Sequence, residues 1–303
     1  MKLTFFGTGT SLGIPVVGCK CPVCSSTDPR DKRFRASALF EVDGMSILID
    51  CGPDFRSQML RAGIGHLDAI LLTHNHKDHV GGLDDVRCLN YTDRRPAEIY
   101  CENKVLDDLH REYPYVFASP RYPGAPEWHI HLIENKPFTV RPCADDKELV
   151  WVHDVGYGYR MPDGSVQPGP SDIVDNASLG GNGVIVQPVR GIHGKMPILG
   201  FRIGRIAYLT DLSSLPEEEL PKLQGLEHVT LNTVTYGPHH SHLNLDEALA
   251  LADRIGARHT WLTHLSHNFP VHEQFCAELH HLCAERGIRS DVQPAYDGLQ
   301  ITA

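Results

Sequence analysis

A chain of 303 residues, 41% hydrophobic and 22% charged, is long enough to bury a sizeable core as one domain or two, and its composition excludes a disordered or fibrous protein. A formal net charge of -10 excludes wrapping long nucleic acid by charge alone. It still admits a small anionic substrate, provided that divalent cations reverse the field inside one pocket.

No apolar run approaches the ~20 residues of a membrane-spanning helix. The stretch from Met1 to Gly9 carries one lysine and reaches glycine too early for a secretory signal, so the cytoplasm is the expected location. An odd number of cysteines, 9, without an export signal points to thiol or metal roles rather than a disulfide framework. The 19 histidines exceed the needs of any one site, so many must be bystanders.

The first expected strand covers 3–6. Gly7-Thr8-Gly9-Thr10-Ser11-Leu12-Gly13-Ile14-Pro15 follows as a small-residue loop, either a phosphate-facing turn or a plain tight one. Cys19, Cys21 and Cys24 then stand at Cys-x-Cys-x-x-Cys spacing, which lets three thiolates face one zinc ion while a fourth ligand comes from elsewhere. Alternation over 35–42 and 45–50, about Asp43-Gly44, predicts a hairpin. Asp50 at its end either orients a ligand imidazole or forms the turn before Gly52. A helix is expected over 53–62, closing at Gly63, and a strand over 67–72.

That strand runs into His74-Asn75-His76-Lys77-Asp78-His79, then Val80-Gly81-Gly82. Four potential metal ligands thus leave the end of an apolar run, where a loop can curl around an ion. His74 and His76 fall on one side of the loop. The adjacent Asp78 and His79 point to different sides, so one loop can serve two ions.

A helix start is expected at 83–90, a strand at 97–101 and a helix at 104–112. His129 and His131 alternate with apolar neighbours, as on a half-exposed strand, and read as structural or surface residues. Residues 141–183 form the irregular stretch: 149–152 has strand character, 156–164 has hairpin-turn chemistry, and 169–183 reads as loop. Its acids (Asp145, Asp146, Glu148, Asp154, Asp163, Asp172, Asp175) outnumber Arg141, Lys147 and Arg160, the wrong balance for an RNA-gripping arm.

Strand pattern returns at 184–189, and His193 lies just past it between glycines. A hairpin over 200–203 and 206–209 runs into Asp211, and 228–232 is a further strand. Asn244 reads as the N-cap of a helix over 245–255, with Glu247 completing a capping box. A strand at 259–263 ends in Thr263-His264. A helix is expected over 272–286 with His272, His280 and His281 on its solvated face, and 291–302 is expected as a last strand.

His74, His76, Asp78, His79, His193, Asp211 and His264 each follow an apolar run, and a sheet sandwich can gather such strand ends along one edge. This many ligands suits two ions that share one group. Asp211 is the natural bridge, because a carboxylate can bind two metals where an imidazole cannot. His74, His76 and His193 then serve one ion, and Asp78, His79 and His264 the other. A water between the ions would be ionised near neutral pH and held for attack. Nitrogen and oxygen donors suit zinc, with manganese or iron as alternatives.

This motif, with His193, Asp211 and His264, resembles the metallo-β-lactamase fold superfamily in its phosphodiesterase and tRNase Z branch. Within it, the chain resembles the PhnP-like phosphoribosyl cyclic phosphodiesterases. The resemblance implies an α/β fold, a four-layer αββα sandwich, as one domain over 1–303 with an insertion at 141–183. It implies two zinc (or manganese) ions at the active site and one structural zinc on Cys19, Cys21, Cys24 and His267. It also implies a late histidine that protonates the leaving group or steadies the phosphate. His242 fits that place, with His240 as the rival, and Asp78 joins them as a catalytic residue.

The function so implied is a dinuclear-metal hydrolase, a phosphodiesterase for a small nucleotide or sugar phosphodiester. The alternatives are tRNase Z-like RNA processing, which would need a basic arm, and glyoxalase-type thiolester hydrolysis, which keeps the aspartate at Asp211. A non-enzymatic zinc scaffold is the other class, and against it stands a ligand set with no member missing. The expected partners are the small substrate and a second copy of the chain, with no membrane and no long nucleic acid.

Overall fold

The computed structural model describes residues 1–118, 122, 124–142, 148–152, 156–168 and 173–303. The chain divides into two compact units. A terminal unit holds Met1–Leu39, Asn135–Pro137 and Ile185–Ala303, and a central unit holds Phe40–Glu134 and Phe138–Val184.

In chain order, β1 (Lys2–Gly7) is followed by the single turn α1 (Pro22–Ser25) and by β2 (Ser37–Val42), within which the division between units falls. Next come β3 (Met45–Ile49), α2 (Phe55–Ala62), β4 (Ala69–Leu71), α3 (Lys77–Val80) and α4 (Arg87–Asp93). Then follow β5 (Ala97–Cys101), α5 (Asn103–Glu112), β6 (Trp128–Leu132), β7 (Phe138–Val140), β8 (Glu148–Val152), β9 (Gly156–Arg160), β10 (Val166–Pro168) and β11 (Ile173–Asn176). The chain continues through β12 (Val184–His193), β13 (Met196–Ile203), β14 (Ile206–Tyr208), β15 (His228–Asn232), α6 (Leu245–Ile255) and β16 (His259–Thr263). It ends with α7 (His272–Arg286), β17 (Asp291–Pro294) and β18 (Gln300–Thr302).

In the central unit, neighbouring strands run β11-β6-β5-β4-β3. Every one of those pairings is parallel. Parallel strands covered on both faces read as continuous apolar runs, as Ala69-Ile70-Leu71 does, all three residues being buried. A separate antiparallel sheet joins β8, β9 and β10.

The terminal unit's main sheet runs β17-β16-β15-β14-β13-β12, antiparallel from β12 to β14 and parallel from β14 to β17. On α6, Leu245, Ala248, Leu249, Ala252 and Ile255 form the buried stripe of an amphipathic helix. They pack with Val229, Leu231, Leu262, Phe275 and Leu279 in one core. The α/β class expected from the sequence is the class found. In both sheets the parallel strands end at the residues with candidate chemistry, which is where open parallel sheets present ligand sites.

Three local readings are corrected. Residues 173–176 form β11, not loop: the segment adds to β6 in parallel register, so tertiary pairing overrides weak local pattern. The tail is two strands, broken before Gly298 at φ 94, with β17 on β16 and β18 on β1. His272 is buried at the start of α7, where Arg33 Nη2 lies 3.4 Å from its Nδ1 and its backbone N–H donates to Asp31. His280 and His281 are exposed as expected. Asp145, Asp146, Asp154, Asp172 and Lys147 lie outside the described residues. Among the described residues no helix is long and apolar enough to cross a membrane.

The capping box at α6 is formed: Asn244 Oδ1 accepts from the Glu247 amide at 2.9 Å, and Glu247 Oε2 accepts from the Asn244 amide at 2.9 Å. Asn244→Ala should therefore cost about 1 kcal/mol of stability. Denaturant titration checks this, and an unchanged midpoint would show that the cap contributes nothing.

Candidate metal centre

The central unit's donors are built on the ends of β3 and β4. Asp50 follows β3 with φ 60, a left-handed conformation that turns its carboxylate back across the sheet end. Its Oδ1 accepts from the Thr73 amide at 2.8 Å, and Thr73 Oγ1 reaches both carboxylate oxygens at 3.0 and 2.9 Å. His79 Nδ1 donates to Asp50 Oδ2 at 2.7 Å, with both side chains fully buried. Burial pushes the Asp50 carboxyl up, and the His79 imidazole opposes it. Of the two readings of Asp50, orienting a ligand imidazole is the one this geometry supports.

With its hydroxyl proton directed at Asp50, Thr73 accepts from His74 Nδ1 at 2.9 Å. Both imidazoles are thereby set in the tautomer whose Nε2 carries the lone pair, the form a metal needs. Ring centroids of His74 lie 4.7 Å from His76 and 4.2 Å from His79. Asp78 and His79 do not diverge. They sit on the one-turn helix α3, and Asp78 Oδ2 approaches His79 Nε2 to 3.4 Å. Gly82 is required by space: a Cβ there would stand 2.1 Å from the Gly52 carbonyl oxygen.

The terminal unit carries candidate donors of its own. His193 is the last residue of β12, and its Nδ1 donates to the Ser241 carbonyl at 2.6 Å. Asp211 follows β14 at φ 60, and His264 follows β16 at φ 54. Asp211 Oδ1 lies 3.2 Å from His264 Nε2, both buried, and accepts from Thr210 Oγ1 at 2.7 Å. Asn232, which sequence reasoning missed, pins the turn after Asp211: its Oδ1 accepts from the Leu212 amide at 2.6 Å, and its Nδ2 donates to the Leu212 carbonyl at 3.0 Å. Its only sequence signal is a polar residue closing a buried strand.

His242 packs its ring 4.9 Å from His264, near parallel, and 4.6 Å from His193. Burial, with the neighbouring imidazoles, pushes His242 down to about 3. His240 is exposed, with its ring stacked on His239 at 4.6 Å.

The thiol site lies wholly within the terminal unit. Cys21 caps α1, accepting from the Cys24 amide at 3.4 Å, while the Val16 amide donates to Cys24 Sγ at 3.4 Å. Sγ of Cys19, Cys21 and Cys24 lie 3.3, 3.5 and 3.5 Å from His267 Nδ1. A tetrahedral zinc ion with ordinary bond lengths separates sulfur from nitrogen by about 3.5 Å, so this donor set fits zinc as it stands. The Cys24 amide, helped by Cys19 and His267, draws the Cys21 thiol down to about 6, whereas burial pushes Cys24 up to about 11. A bound cation would supply the charge that deprotonates the rest. The glycine loop ties to the same corner and is a structural turn, because its amides are used internally. Gly9 N–H donates to Phe34 at 2.8 Å, Thr10 N–H to Leu265 at 3.2 Å, and Leu265 N–H to Thr8 at 2.8 Å.

Comparison with known proteins bears on these sites. Residues 46–265 match the family described as beta-lactamase superfamily domain. The crystal structure of a diphosphatase from the PhnP family is 33% identical, with a TM-score of 0.73, over 100% of this chain and 97% of that one. An octanoyltransferase of Porphyromonas gingivalis is 37% identical over 99% of this chain, which spans only about half, 51%, of that relative. A ribonuclease Z of Streptomyces coelicolor is 29% identical over 83% of this chain and 87% of its own.

Cys21→Ser should remove about one zinc per chain and lower thermal stability while leaving the chemistry largely intact. Metal analysis and a melting curve check it. A variant as stable as the parent, with unchanged metal content, would contradict the structural role.

Proposed function

We propose that this chain, which belongs to the β-lactamase superfamily and is a PhnP-like member of it, is a divalent-metal phosphodiesterase for a small nucleotide or sugar phosphodiester, cyclic or acyclic. Metal-dependent hydrolysis is the coarse function that membership carries. The observation that carries the finer reading is Asp211, a buried carboxylate at a strand end rather than a thiolate. It makes the proposed donor set entirely nitrogen and oxygen, which suits ions that must also take phosphoryl oxygens.

In this reading His74, His76 and His193 hold one ion and Asp78, His79 and His264 hold a second, with Asp211 shared; zinc or manganese fits both. Such ions, when bound, supply Lewis acidity and an acidified water. The remaining roles belong to the chain. Asp50 and Thr73 keep the imidazoles of His79 and His74 in their metal-binding tautomer. Asp211 and Asp78 carry negative charge that offsets part of the charge of two dications.

His242 is neutral in the substrate-free protein, since burial places it near 3. A neutral imidazole still donates one N–H to a phosphoryl oxygen. An anionic substrate beside it would raise its proton affinity and let it deliver a proton to the leaving oxygen. His240 stands in solvent and has no such setting.

A small diphosphate is the second reading, favoured by the PhnP-family diphosphatase at 33% identity. RNA processing has the ribonuclease Z similarity on its side and the net charge of -10 against it. The name of the longer P. gingivalis relative describes a chain of which this one spans half and is not carried over.

The test loads the protein with zinc or manganese and offers bis-p-nitrophenyl phosphate, 2′,3′-cyclic nucleotides, a small diphosphate ester and RNA. Turnover of the diesters above apoprotein is expected. None, with active-site metal bound, would refute the proposal. His242→Ala should lower kcat about 10²–10⁴-fold with metal retained. A larger loss in His240→Ala would reverse the assignment between the two.

A further inference from the structure

One polar face of the central sheet has no part in the chemistry above. Glu98 on β5 pairs with His129 on β6, and Asp175 on β11 pairs with His131. Residues two apart on a strand share a face, so all four side chains stand on one side of the sheet. Ile99 and Ile130, on the other side, are buried in the core.

The two imidazoles converge on one carboxylate oxygen. Glu98 Oε2 lies 2.9 Å from His129 Nδ1 and 2.6 Å from His131 Nε2. The opposite ring nitrogens face a second carboxylate: His131 Nδ1 is 2.6 Å from Asp175 Oδ1, and His129 Nε2 is 3.4 Å from Asp175 Oδ2. The rings lie 4.2 Å apart, and His131 stacks on Tyr100 at 4.3 Å, which holds its plane.

Three of the four ring nitrogens lie within hydrogen-bond distance of a carboxylate, whereas His129 Nε2 is buried without a hydrogen-bond partner. Satisfied by protons alone, His131 must be an imidazolium cation, and both rings must then donate to the one oxygen Glu98 Oε2 while His129 Nε2 stays unsatisfied. One divalent ion in place of the two inner protons carries the same charge. Both imidazoles are then neutral ligands, and the outer N–H of His131 donates to Asp175. A carboxylate behind a metal-bound imidazole is the arrangement that fixes its tautomer.

We propose that Glu98, His129 and His131 form a further divalent-metal site, taking zinc or a cation of similar chemistry, with Asp175 as the positioning carboxylate. One donor atom from each of the three falls within 4.8 Å of the others. Bond lengths of about 2.0–2.2 Å to nitrogen and oxygen put donors about 3.3 Å apart in a tetrahedral site, so admitting an ion opens the two Glu98–imidazole contacts, now 2.9 and 2.6 Å, by about 0.4–0.7 Å. Two imidazoles and one carboxylate leave a fourth position for water, and this donor set selects zinc over calcium or magnesium. Because β11 belongs to the 141–183 stretch, an ion here anchors that stretch's returning strand through Asp175.

The experiment strips the whole protein with chelator, reloads it with zinc, dialyses it against zinc-free buffer and measures zinc per chain. His129→Gln/His131→Gln and Glu98→Gln should each hold about one zinc fewer than the parent, with diester turnover and the cysteine-bound zinc unchanged. Asp175→Asn should keep the ion but weaken it about 10–100-fold in competition with a chromophoric chelator. Folded variants with the parent's zinc content would overturn the proposal. Glu98→Gln, a near-isosteric change, decides the matter if the double variant misfolds. The count is independent of whether diesters prove to be substrates.

Discussion

Left-handed backbone at non-glycine strand ends is the constraint on which the candidate centre depends. Asp50, Asp211 and His264 sit at φ 60, 60 and 54, each directly or nearly at the end of a parallel strand. Such a conformation costs on the order of 1–3 kcal/mol for a residue with a Cβ and persists only where the surroundings over-determine it. Here the surroundings are specific. Thr73 and His79 hold Asp50. Asn232 clamps the backbone just after Asp211. Backbone bonds between Leu265 and Thr8, and between Thr10 and Leu265, hold the chain just after His264. Without the left-handed turn, each side chain would continue the strand's alternation and point into the layer above or below the sheet.

Within each unit the polar chemistry is layered behind the candidate ligands. In the central unit one buried carboxylate, Asp50, sets His79 directly and His74 through the Thr73 hydroxyl. In the terminal unit a backbone carbonyl, that of Ser241, does the same for His193. These are ordinary hydrogen bonds, but each fixes which ring nitrogen carries the proton and so which one could face an ion. The thiol site follows a different logic. There an ion would substitute for an apolar core, since among the described residues the cluster beside Cys24 is small: Ile14, Val23 and their partly buried neighbours.

Much of this was legible in the sequence because strands that end in chemistry have a simple signature. Ala69 to Thr73, Ile206 to Thr210 and Thr260 to Thr263 are apolar or β-branched runs that stop at a threonine, and a candidate metal donor follows each one. The capping box at Asn244 and the cysteine triplet were equally plain, since their spacing is their mechanism. What the sequence could not reveal were relations across the sheet. Asn232 looked like the end of a strand, and only its two bonds to Leu212 show its purpose. His129 and His131 read as bystanders because their partners, Glu98 and Asp175, come from strands 31 residues before His129 and 44 residues after His131. β11 itself was invisible, because four residues become a strand only when β6 is there to pair with them. Asp78 and His79 were expected to diverge, and the one-turn helix that brings them together is too short to carry a periodic signal.

The central proposal is that His74, His76, Asp78, His79, His193, Asp211 and His264 hold a pair of divalent ions. Anomalous diffraction at the zinc absorption edge, on crystals of the zinc-loaded protein, tests it most directly. The account predicts two peaks about 3.5–4 Å apart among those residues, with Asp211 touching both. A single peak there, or none, while the cysteine-bound zinc is present as an internal control, would contradict it.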